Sequence, residues 1–276
     1  MVPSPDRGVA VMSKDTFHTD TGLYDNPSWY DVLHAKDTAW EVDGLESIAS
    51  RYVRTRSGDR NARWLEPACG TGRYLRESAR RGIETEGYDA DPSMIAYAKA
   101  RFDARGLDGV IRVGNMTDYR ARTKADFAFN TINTIRHLMS DGDILAHLES
   151  THASLLSGGV YAVGLSTANY SRDQPVEDVW TGARGRLRVT QVVNYLPAAR
   201  DARREMVVNH LHVETPSREV HADSTYELRT YSRGEWMEIL ERSPFELIAV
   251  TDEFGEPVPM NERGEYAGRY GVYVLG

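Results

Sequence analysis

Along this chain apolar residues first recur at helical spacing and then break into short runs. Between residues 27 and 53, Val32, Leu33, Trp40, Leu45, Ile48, Ala49, Tyr52 and Val53 predict one or two helices ahead of the first apolar run. From residue 63 short apolar runs alternate with helical segments. They predict strands at 63–67, 84–88, 110–113, 125–130 and 159–165, and helices at 72–81, 92–102 and 141–156. Strands spaced by helices imply parallel crossovers and a doubly wound α/β sheet.

After Ser166 the rhythm changes. "RLRVTQVVNYL", "EMVVNHLHVET" and "EVHADSTYELRTY" read as successive β segments separated by "PAARDAR" and "PSR", which together predict an antiparallel meander. Helical periodicity returns in "SRGEWMEILER", and "FELIAVTDEF" and "GRYGVYVLG" supply two last strands. No internal repeat or low-complexity tract interrupts this order. The expected organisation is a flexible N-terminus at 1–20, an α/β core with its N-terminal helices at 21–170, an antiparallel β insertion at 171–232 acting as acceptor lid or dimer contact, and the end of the core at 233–276.

Composition narrows the setting. A chain of 276 residues can bury a sizeable core without a disulfide scaffold, and its single cysteine, Cys69, excludes an intrachain disulfide and any multi-cysteine zinc cluster. A reducing, cytoplasmic compartment follows as the expectation. No apolar stretch is long enough for a signal peptide or a membrane span. The formal net charge of −8 disfavours nucleic acid as a partner.

Chemistry concentrates at "WLEPACGTGRYL", residues 64–75, where an apolar run gives way to Pro67, Ala68, Gly70 and Gly72 ahead of a helical segment. A loop between a strand end and a helix start offers unpaired N–H groups to an anionic ligand group, and glycines let it approach the main chain. A nucleoside triphosphate loop needs Gly-Lys-Ser/Thr, whereas Gly72 is followed by Arg73 and Tyr74. A dinucleotide fingerprint wants a third small residue where Leu75 stands, which weakens a nicotinamide reading. In "EGYDADPSMI" Asp89 ends the next strand, 17 positions after Gly72, where a carboxylate can accept from ribose hydroxyls. The alternative is that Asp89 caps the helix starting near Pro92, a role Asp91 fills equally well.

"LEPACGTGRYL", "EGYDADPSMIAYAKAR" and "VGNMTDY", in that order, resemble the class I S-adenosylmethionine-dependent methyltransferases over about residues 30–166. The resemblance implies a Rossmann-like seven-stranded sheet whose last strand is antiparallel, with the β insertion after its fifth strand. It implies S-adenosylmethionine as cofactor, its methionine portion against Glu66, Ala68, Gly70 and Gly72 and its ribose on Asp89. Ala90 and Met94 would flank the adenine, Asn115 and Met116 would meet its edge, and Thr131 would border the methionine or ribose portion. Asn115 stands where the family more often has Asp.

Methyl transfer from a sulfonium needs alignment of the nucleophile and, for an amine or hydroxyl, somewhere for its proton to go. "FAFNTINTIRHLMSDGD" leaves the fourth strand at the ligand edge, and His137 within it titrates in the useful range. The chain looks most similar to the small-molecule N-methyltransferases of the glycine and amino-sugar type, because "YDVLHAKDT" at 30–38 resembles their N-terminal segment and a histidine follows the fourth strand. Tyr30 would then contact the acceptor, while Thr38 stands where those enzymes tend to carry a second tyrosine. Packing of an N-terminal helix is the plain alternative for Tyr24, Trp29 and Tyr30. Trp180, Tyr195, Tyr226, Arg229 and Tyr231 in the meander are further candidates for acceptor contacts.

His210 and His212 alternate onto one face of a strand, but no third ligand is identifiable near them, so no metal is assigned. The expectation is therefore a methyltransferase acting on a small-molecule amine, with hydroxyl oxygen as the second choice. Its rivals are a non-catalytic cofactor-binding protein and an oxidoreductase, and a homodimer is possible.

Overall fold

The computed structural model describes residues 15–19, 22–55, 61–198, 201–259 and 268–276. In chain order its elements are β1 (Asp15–Thr19), α1 (Pro27–Leu33), α2 (Thr38–Tyr52), β2 (Arg63–Pro67), α3 (Arg73–Arg80), β3 (Glu84–Asp89), α4 (Pro92–Asp103), β4 (Val110–Val113) and β5 (Ala125–Asn130). A 3-10 turn (Thr134–His137), α5 (Asp141–Ala153) and β6 (Leu155–Ser166) come next. The rest comprises β7 (Val176–Arg184), β8 (Leu187–Leu196), β9 (Arg204–Glu214), β10 (Arg218–Arg229), α6 (Arg233–Glu241), β11 (Leu247–Thr251) and β12 (Tyr270–Leu275).

Seven strands form one sheet in the order β11-β12-β6-β5-β2-β3-β4. Pairings among β2 to β6 are parallel and β12 runs antiparallel to both neighbours, as the predicted seven-stranded sheet requires. The strands alternate side chains into two cores. Phe127 and Phe129 of β5 join Trp64, Val160 and Ala162 beneath α2, α3 and α4, while Ala128 joins Leu65, Tyr161 and Tyr273 beneath α5 and α6. Helix starts follow local chemistry: the Asp91 side chain accepts from Ser93 N–H ahead of Pro92, and Ser232 and Glu235 form a reciprocal capping box.

The insertion folds as an antiparallel meander of four strands, β7 to β10, with β7 added ahead of the three segments the sequence predicts, within a second sheet of order β1-β10-β9-β8-β7. Two sequence expectations need correction. Residues 15–19, assigned to a flexible N-terminus, are a strand paired in parallel with β10, because five largely exposed residues carry no periodicity and the open edge of β10 supplies the order. The other expected flexible positions, 1–14 and 20, lie outside the described residues. The helix expected to reach 156 ends at Ala153, because Leu155 already pairs with Ala125 as the start of β6.

The second sheet lies over α1. Val32 and Leu33 share a core with Leu23, Val189, Leu211 and Val213, and a Cβ on Gly182 of β7 would fall 2.1 Å from the Val32 carbonyl oxygen. Only glycine permits that approach. Asp31, fully buried, ties this corner together. It pairs with Arg76 of α3, lies 2.8 Å from Arg184 Nη2 of β7, and accepts from Tyr97 Oη of α4 at 3.1 Å.

Candidate active site

Strand order reverses direction between β2 and β5, and crevices in doubly wound sheets open at the carboxyl ends of the strands at such a point. Here those ends are Pro67, Asp89, Val113 and Asn130. Beyond β2 the backbone takes left-handed conformations at Ala68 (φ 49°), Gly70 (φ 51°) and Gly72 (φ 67°), turning main-chain groups rather than side chains toward the opening. Tyr30 lies across the loop: a Cβ on Gly70 would sit 3.7 Å from its ring. Gly72 faces away, toward Ala98 and Phe102. It is the one glycine-loop residue of the expected set that lines neither part of the crevice.

Asp89 joins the two strand tips. One carboxylate oxygen accepts Gly70 N–H at 2.8 Å and the other accepts Asp91 N–H at 2.9 Å, leaving each oxygen a lone pair for a further donor. Because Asp91 caps α4, Asp89 is free of that duty. Its neighbours complete a cavity of about 370 Å³ lined by Ala68, Gly70, Ala90, Met94, Gly114, Asn115 and Met116, with Tyr24, Tyr30, Thr134 and His137 on the far wall. Asn115 Oδ1 already accepts from Thr117 N–H and Oγ, and the Met116 carbonyl accepts from buried His147.

A second compartment shares Tyr24, Tyr30, Ala68, Thr134 and His137 with the first and adds Glu66, Arg73, Thr131, His34 and the overlying sheet. Glu66 Oε2 is buried without a hydrogen-bond partner. Burial raises the Glu66 carboxyl well above the usual carboxylate range, against the pull of Arg73, whose charge is shared with Glu41. The buried acid group therefore favours its protonated form in the free protein, and a cationic ligand group beside it would draw it toward the ionised form.

The turn after β5 is where chain strain concentrates. Ile132 (φ 55°) and Asn133 (φ 62°) are successive left-handed residues, and a β-branched residue in that region is a true outlier of the kind found at functional sites. Asn133 is held by Ser166, with Ser166 N–H donating to its Oδ1 at 2.6 Å. Arg136 anchors the turn to the overlying sheet, donating to Glu205 Oε2 at 2.5 Å and to the Arg229 carbonyl at 2.8 Å. This leaves His137 facing both compartments, with Tyr24 Oη 3.3 Å from its Nε2 and the Tyr226 ring stacked 5.6 Å away. Enclosure, then the Arg136 charge, lower the His137 pKa, and burial raises the Tyr30 phenol to about 12. Neutral imidazole and neutral phenol are the forms present near pH 7.

Of the meander candidates Trp180, Tyr195 and Tyr226 line the second compartment. Arg229 does not; it donates to the Met139 carbonyl and pairs with Asp141, and Tyr231 is buried in the core beside Trp236. Thr38 lines neither compartment and accepts from Arg73 at 2.9 Å. Sequence reasoning missed His34, Arg73, Tyr74 and Gln191. Only Gln191 left a signal, as a polar residue at an inward position between Val189 and Val193; its amide donates to buried Asn209 at 2.6 Å.

Comparison with known proteins agrees with this geometry. Residues 65–159 match the family model described as a methyltransferase domain. The chain is 29% identical over 137 residues to the dTDP-3-amino-3,6-dideoxy-alpha-D-glucopyranose N,N-dimethyltransferase of Streptomyces fradiae, covering 49% of this chain and 50% of that protein. The match thus spans about half the length of the curated relative. Among solved structures, DesVI of Streptomyces venezuelae superposes with a TM-score of 0.70 at 20% identity, covering 92% of this chain and 98% of that one. The sugar N-methyltransferase KedS8 of Streptoalloteichus sp ATCC 53650 superposes at 0.69 with 17% identity, covering 97% and 98%. These structures share the fold.

Proposed function

We propose that this chain, which carries a methyltransferase domain at residues 65–159, moves a methyl group from S-adenosylmethionine to the amine nitrogen of a small molecule, with amino sugars as the acceptor class. The observation that carries the reading is the pair of compartments meeting at Ala68, Tyr30, Tyr24 and His137, one built for a nucleoside and one roofed by aromatic and amide side chains. The cofactor supplies an electrophilic methyl group on a positively charged leaving group.

The chain's own residues do the rest. Asp89 accepts from the ribose hydroxyls, Ala90 and Met94 flank the adenine, and Asn115 with Met116 borders its edge. Glu66 and the main chain at Ala68 and Gly70 hold the methionine portion, with Thr131 beside it. The unpartnered Glu66 Oε2 and the acidic character of the strand tips fit a ligand that brings an ammonium and a sulfonium. Tyr30 covers the junction and excludes water. His137, neutral at physiological pH, takes the proton from an ammonium acceptor so that the nitrogen lone pair is free, and Tyr24 fixes the imidazole. Gln191, Tyr195, Tyr226 and Trp180 offer hydrogen bonds and flat apolar surface, which suits a hydroxylated ring.

Among the described residues no helix is long and apolar enough to cross a membrane. A cytosolic setting is part of the proposal, on the ground that Cys69 is a buried free thiol. The test is to incubate the purified chain with S-adenosylmethionine and a panel of nucleotide-linked amino sugars and their hydroxyl analogues, following product mass and S-adenosylhomocysteine release. Methylation of amino sugars alone is expected. Cofactor binding with no transfer to any amine would refute it.

A further inference from the structure

The face of the second sheet turned away from the crevice carries a histidine cluster that the proposed reaction does not use. Register places His212 of β9 directly opposite His221 of β10, and His18 of β1 opposite His221 on its other side. The rings stack, with centroids 4.6 Å apart for His212 and His221 and 5.2 Å for His18 and His221. Glu219 stands two residues before His221 on the same face. Its Oε1 lies 2.7 Å from His212 Nε2 and 3.2 Å from His221 Nε2. One ligand atom from each of these three side chains falls within 4.8 Å of the others, and all three are half-buried.

Beside these groups Asp223 Oδ1 accepts from His210 Nδ1–H at 2.7 Å, and His210 Nε2 lies 3.3 Å from His221 Nδ1.

We propose that His212, His221 and Glu219 bind a divalent first-row transition ion, with Zn²⁺ the best match. Two imidazole nitrogens and a carboxylate oxygen are a common zinc donor set, with water in the fourth position. The Asp223–His210–His221 chain is the outer hydrogen-bond shell that fixes a ligand's tautomer and ring orientation. The ion pins β9 to β10 across the turn at 215–217, behind the inward residues Asn209 and Tyr226 of the same strands.

Titration of chelator-treated protein with zinc chloride in a calorimeter, and with Co²⁺ followed by visible absorption, tests the site. One zinc per chain and intense four-coordinate cobalt bands are expected, together with a zinc-dependent rise in Tm. Each of His212→Ala and His221→Ala should weaken zinc binding by about 100-fold or more, beyond the usual loss from an outer-shell change. Glu219→Gln keeps the size of the side chain and guards against a misfolded variant; it should weaken zinc binding in the same direction. Absence of zinc binding by the parent chain would overturn the proposal. So would unchanged zinc affinity in a folded Glu219→Gln or His212→Ala chain.

Discussion

Asp89→Ala separates the two jobs that the geometry gives this carboxylate. In the free protein it receives Gly70 N–H at 2.8 Å and Asp91 N–H at 2.9 Å, so truncation removes a brace between two strand tips. Both donors sit at a half-open crevice where water replaces the lost acceptor, which limits the stability cost to about 1 kcal/mol. In the proposed complex the same carboxylate also accepts from ribose hydroxyls. Losing one charge-assisted bond costs about 1.5–3 kcal/mol, or roughly 10- to 150-fold in Kd. Calorimetry with S-adenosylhomocysteine gives the affinity, and thermal melts of the free proteins give the stability. A lowered Tm with the Kd unchanged within about twofold would show that Asp89 is only a loop brace, and the ribose assignment would fall.

His137→Gln should lower the rate of transfer by about 10²–10⁴, the usual worth of a general base, with little change in S-adenosylhomocysteine affinity. Since enclosure and Arg136 lower its pKa, the parent rate should hold as pH falls through the ordinary imidazole value and drop only below it; a limb at or above about pH 6.5 would contradict this. Asp31→Asn should cost about 3–5 kcal/mol in urea unfolding, because it leaves Arg76 and Arg184 without their buried partner. Burial raises the Asp31 carboxyl but Arg76 and Arg184 prevail and lower it, so its contribution is present above about pH 4 and lost as pH falls through the depressed folded value. A loss under about 1 kcal/mol, the scale of an exposed pair, would refute the hub. Gly70→Ala places a Cβ toward Tyr30 at φ 51°, a left-handed strain of about 1–2 kcal/mol, and should weaken cofactor binding; equal affinity in a folded variant would argue against main-chain approach there.

The sequence by itself determined the order along the chain of the elements that build the seven-stranded sheet, the loop after β2 and the carboxylate that ends β3. Those features are local: apolar period sets strand and helix, and small residues between a strand end and a helix start leave main-chain N–H groups open to a ligand. Tertiary structure alone decided what those tips face. Strand β1 exists because β10 presents an open edge, and Asp31 is a hub because α3 and β7, far apart in sequence, deliver Arg76 and Arg184 to α1. Tyr24, His34 and Gln191 enter the crevice with His137 only once the meander folds over α1. Arg229 and Tyr231 looked equally available in the sequence, but Arg229 pairs with Asp141 and Tyr231 turns to the core instead. The histidines make the same point on the outer face: His212 shows no partner along its own strand, and the register of β10 brings it His221 and Glu219. Side-chain direction along a strand can be read from period two, but which strand lies opposite depends on closure of long loops and burial of a shared face, and those are properties of the folded chain.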